Sequence, residues 1–97
     1  MTVPNGLPKY IALGNNMYVN RPYRNTNPRT VRGARKKGWH IVTLPTNTLE
    51  HFNTSWMGIE IWALRQAKGN FVTSFALREF AFENTEDASW FTMKWCL

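Results

Sequence analysis

Seven cations stand between residues 21 and 37, namely Arg21, Arg24, Arg29, Arg32, Arg35, Lys36 and Lys37, with no Asp or Glu among them. Guanidinium and ammonium groups at this density suit the neutralisation of phosphates, a salt-dependent interaction with little preference for base. Tyr18 and Tyr23 are interleaved with the charges and offer rings on which bases can stack. Docking of the segment onto a folded body accounts for the same two tyrosines without any ligand. The charge is also lopsided. Residues 1–49 hold eight basic residues and no acid, whereas the remainder holds four basic and six acidic residues. Asymmetry of this kind points to an anionic partner, either nucleic acid (DNA or RNA) or an acidic protein surface.

The basic segment carries helix signals. Asn27 suits an N-cap, Pro28 the first helical position and Gly38 the residue past the end, which predicts a short helix over 28–37. Arg29, Arg32 and Arg35 or Lys36 then recur on one stripe, while Val31 and Ala34 lie off it and are free to dock. Gly33 costs about 1 kcal/mol and makes such a helix marginal alone.

Other chemistries find little support. His40, His51 and Cys96 lack metal-ligand spacing, so no metal is expected. Glu50 and His51 are neighbours in sequence and do not face each other on a helix. Glu86 and Asp87 suit the first turn of a helix better than a catalytic role. No phosphate loop or nucleophile elbow is present. Neither catalysis nor a cofactor is expected. The single cysteine excludes an internal disulfide. No apolar run approaches the roughly 20 residues needed to cross a bilayer, so a soluble protein without a membrane partner is expected.

The elements that would position these groups fall into two zones. Residues 1–38 hold four of the five prolines and read as a basic Pro/Asn-rich arm, with Tyr10–Leu13 and Met17–Val19 as short docked segments. From Trp39 to residue 97 the pattern is that of a compact α+β domain. Trp39–Leu44 reads as a strand closed by Pro45. Trp56–Lys68 has mixed periodicity, and its helix formers favour a helix started by Asn53-Thr54-Ser55 and stopped by Gly69. Asn70–Phe75 and Leu77–Phe82 read as strands, with Phe80 and Phe82 on the buried face. Asn84 or Thr85 caps a short helix that turns Ala88 and Phe91 inward, and Thr92–Trp95 reads as a closing strand. This order predicts a ferredoxin-like (split βαβ) two-layer sandwich, its helices on one face and the other face open.

The segment Phe80-Ala81-Phe82-Glu83-Asn84, followed by Asp87-Ala88, Phe91 and Met93-Lys94-Trp95, resembles the carboxyl end of small uncharacterised tailed-bacteriophage proteins. Those proteins show F-x-F-E-[ND], then D-A-x-x-F, then L-[KR]-W, with Leu where Met93 stands. The resemblance spans about residues 59–97 and implies an α+β fold and a phage origin, hence the host cytoplasm or the virion. It implies no activity. The same strand is similar to the third strand of RNA-recognition motifs. That alignment puts Leu77 and Glu79 where bases would stack, and an acid there argues against RNA on this sheet.

The expected function is therefore non-catalytic binding of nucleic-acid phosphates through the arm. The alternative is a phage accessory or virion-structural protein that binds, and can inhibit, a host or phage protein through the arm and exposed aromatics. Five tryptophans exceed what a small core needs, and Trp56, Trp90 and Trp95 are candidates for such exposure.

Overall fold

The computed structural model describes residues 28–96, together with the backbone of two short strands at 10–12 and 17–19. In chain order the elements are β1 (Tyr10–Ala12), β2 (Met17–Val19), α1 (Val31–Lys36), β3 (His40–Thr43), α2 (Thr48–His51), α3 (Trp56–Gln66), β4 (Phe71–Ser74), β5 (Glu79–Phe82) and α4 (Thr85–Trp95). The strands form one sheet in the order β1-β2-β4-β5-β3, with every neighbouring pair antiparallel. Since β3 and β4 both oppose β5, they are parallel to each other, and α3 connects them with β5 inserted between.

Alternation along the central strands assigns the two faces. Phe71, Phe80 and Phe82 point to one side, where they meet Ile59, Ala63 and Leu64 of α3 and Ala88, Phe91 and Trp95 of α4. The ring of Phe91 sits 4.4 Å from Phe80 and 5.0 Å from Phe82, centroid to centroid. Each fully buried phenylalanine contributes on the order of 1.5–3 kcal/mol, so four of them suffice to organise a core of this size.

The opposite face is not open. Val72 and Ala81, paired across β4 and β5, are buried there under Val31 and Ala34 of α1. Residues 31–38, expected as part of an arm, are thus packed on the sheet. The central strands are covered on both sides.

The closing strand predicted at 92–95 does not form. Those residues extend α4, because Ala88, Phe91 and Trp95 recur at helical spacing and the extra turn buries Trp95. Its indole lies 5.0 Å from Phe52 and 5.8 Å from Trp62. A strand would have turned Met93 and Trp95 to the same side, where Met93 is now exposed. The outer edge of β3 consequently ends the sheet.

Capping follows local chemistry. Ser55 Oγ accepts the Gly58 amide at 3.0 Å and starts α3. Asn84 Oδ1 accepts the Glu86 amide at 2.8 Å and starts α4. The helix α3 ends at Gln66, before Gly69. Gly69 serves a different purpose: its amide reaches the buried Asp87 carboxylate at 2.9 Å, and Lys68 N–H donates to the same group at 3.0 Å. An acid at the start of one helix therefore fixes the turn that follows another.

Candidate nucleic-acid interface

Helix α1 is shorter than its sequence signals suggest. It begins at Val31, and its N-cap is Thr30, whose Oγ1 accepts the Gly33 amide at 3.0 Å. The predicted N-cap, Asn27, lies outside the described residues, and Pro28 is buried ahead of the helix. Starting at residue 31 places Val31 and Ala34 one turn apart, so both point at Val72 and Ala81.

The other end closes as its glycine predicts. Gly38 takes φ = 83°. Its amide donates to Arg35 O at 3.1 Å, and the Trp39 amide donates to Ala34 O at 3.0 Å. This is a Schellman motif, with Ala34 and Trp39 in the apolar contact that accompanies it. A residue with a β-carbon is strained at such a φ, which is why glycine holds the site.

With its apolar side against the sheet, α1 turns its charges outward. Arg29, Arg32, Arg35, Lys36 and Lys37 are all exposed. Arg35 is not simply displayed, however. Its Nη2 lies 2.8 Å from Glu79 Oε2, which also accepts the Thr43 hydroxyl at 3.2 Å. The Glu79 side chain is only 13% exposed, so the guanidinium offsets a largely desolvated carboxylate. Spacing along the chain gave no sign of this pair, whose members are 44 residues apart. The one available signal was an acid alternating with Phe80 on the strand.

The remaining expected contact residues divide in two. Arg21, Tyr23 and Arg24 lie outside the described residues. Tyr18 belongs to β2, where it stands opposite Ile11 and Phe71 in register. Glu79 stands on the sheet face that α1 covers, and Leu77, expected beside it on the strand, lies in the turn before β5.

Exposed aromatics gather elsewhere. Trp90 is 58% and Met93 57% exposed, and with Trp62, Gln66 and Lys94 they line a shallow depression of about 410 Å³ between α3 and α4. Trp56 is half-buried, its Nε1 donating to the buried Glu60 at 3.0 Å. Trp95 is buried. Of the three candidates, Trp90 is the exposed one.

The histidines and the cysteine remain apart. His40 Nε2 lies 2.6 Å from Thr85 Oγ1, and His51 packs edge-on against Phe52 at the end of α2. Cys96 Sγ lies 3.9 Å from Thr43 O, and burial pushes its thiol up. Among the described residues no three His, Cys, Asp or Glu side chains are grouped to hold a metal, and no helix is long and apolar enough to cross a membrane. Comparison with protein-family models, curated proteins and solved structures gives no match.

Proposed function

We propose that this chain is a non-catalytic, phage-encoded protein that binds nucleic-acid phosphates through the exposed side of α1 and the basic residues that precede it. The observation that carries the reading is the docking of α1. Val31 and Ala34 hold the helix on the sheet, so Arg29, Arg32, Lys36 and Lys37 project from a fixed platform. A pre-positioned cationic face loses less conformational freedom on binding than a disordered tail does. The contacts are to phosphate, with Arg21, Arg24 and Tyr23 extending the same basic stretch in sequence. The phage assignment and a location in the host cytoplasm or virion rest on the carboxyl-terminal resemblance. We further read β3, α3 and β4, with β5 between the two strands, as the split β-α-β unit of a ferredoxin-like arrangement in which α4 replaces the last strand.

Filter retention of labelled DNA and RNA across a salt series tests the proposal. Each phosphate contact contributes about −0.9 to the slope of log affinity against log salt on duplex DNA. Replacing Arg32 and Lys36 with Gln is expected to flatten that slope by about 2. An unchanged slope would show that α1 is not the contact surface.

A second reading is favoured by Trp90 and Met93. Their exposure beside Trp62 is typical of a protein-binding surface, which fits an accessory or structural protein that engages a host or phage protein. Recovery of one protein from host lysate after nuclease treatment, abolished by Trp90→Ala, supports this reading over the first.

A further inference from the structure

Trp39 sits where the cationic helix meets the border of the sheet. The Schellman closure folds it back, with its amide on Ala34 O at 3.0 Å, so Lys36 and Trp39 stand on the two sides of one closed turn at Gly38. Alternation along β3 sets Trp39, Ile41 and Thr43 on the face that α1 covers. Trp39 and Ile41 pack beside Val31, Ala34, Val72 and Ala81, and Thr43 reaches Glu79, the partner of Arg35. The last turn of α1 therefore runs alongside this row, tied through Arg35 at one end and Trp39 at the other.

The ring is nevertheless only partly buried. Val31 and Ala34 rest on β4 and β5, and β3 lies beyond β5 at the end of the sheet, so α1 leaves part of the indole at the surface. On the outer side of the helix Arg32 and Lys36 are exposed. They are one turn apart, about 6 Å along the axis, on the scale of a single nucleotide step. Glu83, next to the Phe82 that pairs with His40, borders this corner on its far side and accepts the Asn70 side-chain amide at 3.0 Å. A phosphate is thus favoured on the α1 side of Trp39, and a neutral, planar group over the ring.

We infer that Trp39 is the platform on which one unpaired base stacks while α1 holds the adjoining phosphates, so that the ligand of this face is single-stranded nucleic acid. The site rests on phosphate binding by α1 and narrows it. In a duplex each base is enclosed between its neighbours, and a ring fixed against a sheet has no base face to meet. A single strand presents one at every step. Stacking of this kind tolerates any sequence, in keeping with phosphate contacts that read no base. The helix adds to the preference. Its six residues span about 9 Å, and seated flat on the sheet it lacks the projection with which a helix enters a major groove.

Anisotropy titrations of the full chain test the proposal with three probes: a short labelled DNA strand, its duplex, and a strand of equal length without bases. The native protein should bind the intact strand roughly tenfold more tightly than the abasic one. The salt slopes of the two should be similar, since stacking releases no counterions. Trp39→Leu should remove the tenfold advantage and leave the abasic strand unaffected, while Trp39→Phe should keep most of it. The duplex should respond to Arg32→Gln but not to Trp39→Leu. Equal binding of intact and abasic strands by the native protein overturns the proposal, a comparison that stands even if the leucine variant fails to fold. So does equal weakening of both strands by Trp39→Leu, or a preference for polyglutamate over either strand, which would give the ring to a protein partner. If these comparisons fail while Arg32→Gln still flattens the salt slope, phosphate binding stands and the base site alone falls. If no strand binds in a salt-dependent way, both fall.

Discussion

The carboxylate of Asp87 accepts the Gly69 amide at 2.9 Å, and the site is close-packed, since a β-carbon on Gly69 would make a tight 3.3 Å contact with Asn84 Cβ. The start of α4 and the turn after α3 are in effect one joint. Asp87→Asn removes the charge and turns part of the acceptor into a donor facing two N–H groups. A loss of about 1.5–3 kcal/mol is expected from a buried, charge-assisted arrangement of this kind. Urea unfolding followed by tryptophan fluorescence measures it, and a loss below about 0.5 kcal/mol would mean that the joint contributes little.

Phe91→Ala should be more damaging. Its ring contacts both Phe80 and Phe82 and is 1% exposed. Truncation leaves a cavity among rigid rings, for which about 3–5 kcal/mol is usual. Trp90→Ala, one residue away but on the outer side, should change stability by less than about 0.5 kcal/mol. The contrast between these neighbours checks the helical phase of α4 through its second half.

Gly33→Ala should stabilise the protein. The added methyl would lie 3.4 Å from Pro28 Cβ and from Thr30 Oγ1, an ordinary contact. Gly33 does not have positive φ. The gain in helix propensity approaches 1 kcal/mol, measurable as a rise in the urea midpoint. Gly38→Ala should act in the opposite sense, since that residue is held at φ = 83°.

The pair of Arg35 and Glu79 allows the phosphate-binding reading to be tested in the direction of gain. Glu79→Gln removes the acid that holds Arg35 and frees its guanidinium. If α1 contacts phosphates, the salt slope should steepen by up to about 1. Arg35→Gln should leave binding less affected than Arg32→Gln, because Arg35 is already committed to Glu79.

Cys96 sets a pH dependence. Burial raises its thiol above the ordinary 9.0, so the folded protein holds the proton to higher pH than the unfolded chain does. This contribution to stability is complete below the ordinary value and is lost as pH rises through the folded one. The urea midpoint of the native protein should therefore fall more steeply above about pH 9 than that of Cys96→Ser. Reaction with a thiol reagent at pH 8 should also be slower than for free cysteine.

The strands and cores were legible where local pattern and burial agree. Phe80 and Phe82 alternate with Ala81 and announce a buried face, and Asn53-Thr54-Ser55 announces the start of α3. Helix α4 was legible only in its first half. Thr92, Met93 and Trp95 suit a strand by composition, and only the distant Phe52 and Trp62 decide that Trp95 is buried on a helix. The docking of α1 was half legible. Val31 and Ala34 stood out as the uncharged positions, but their seat on Val72 and Ala81 depends on strands far along the chain. At the candidate interface the cations were legible as a group, whereas the tie of Arg35 to Glu79 was not, because nothing local encodes a partner so remote.

That remoteness has a bearing on how the molecule assembles. Val31 and Ala34 rest on β4 and β5, so the seat of α1 does not exist until the hairpin carrying Phe71 and Phe82 has closed. During synthesis residues 31–36 emerge first and wait, exposed and with a glycine in their midst, for a surface made later. Non-local contacts of this sort are slow to form, which makes the seating of α1 a late event. Variants that weaken the contact of Val31 and Ala34 with Val72 and Ala81 should therefore release the cationic helix before they unfold the aromatic core on the other face.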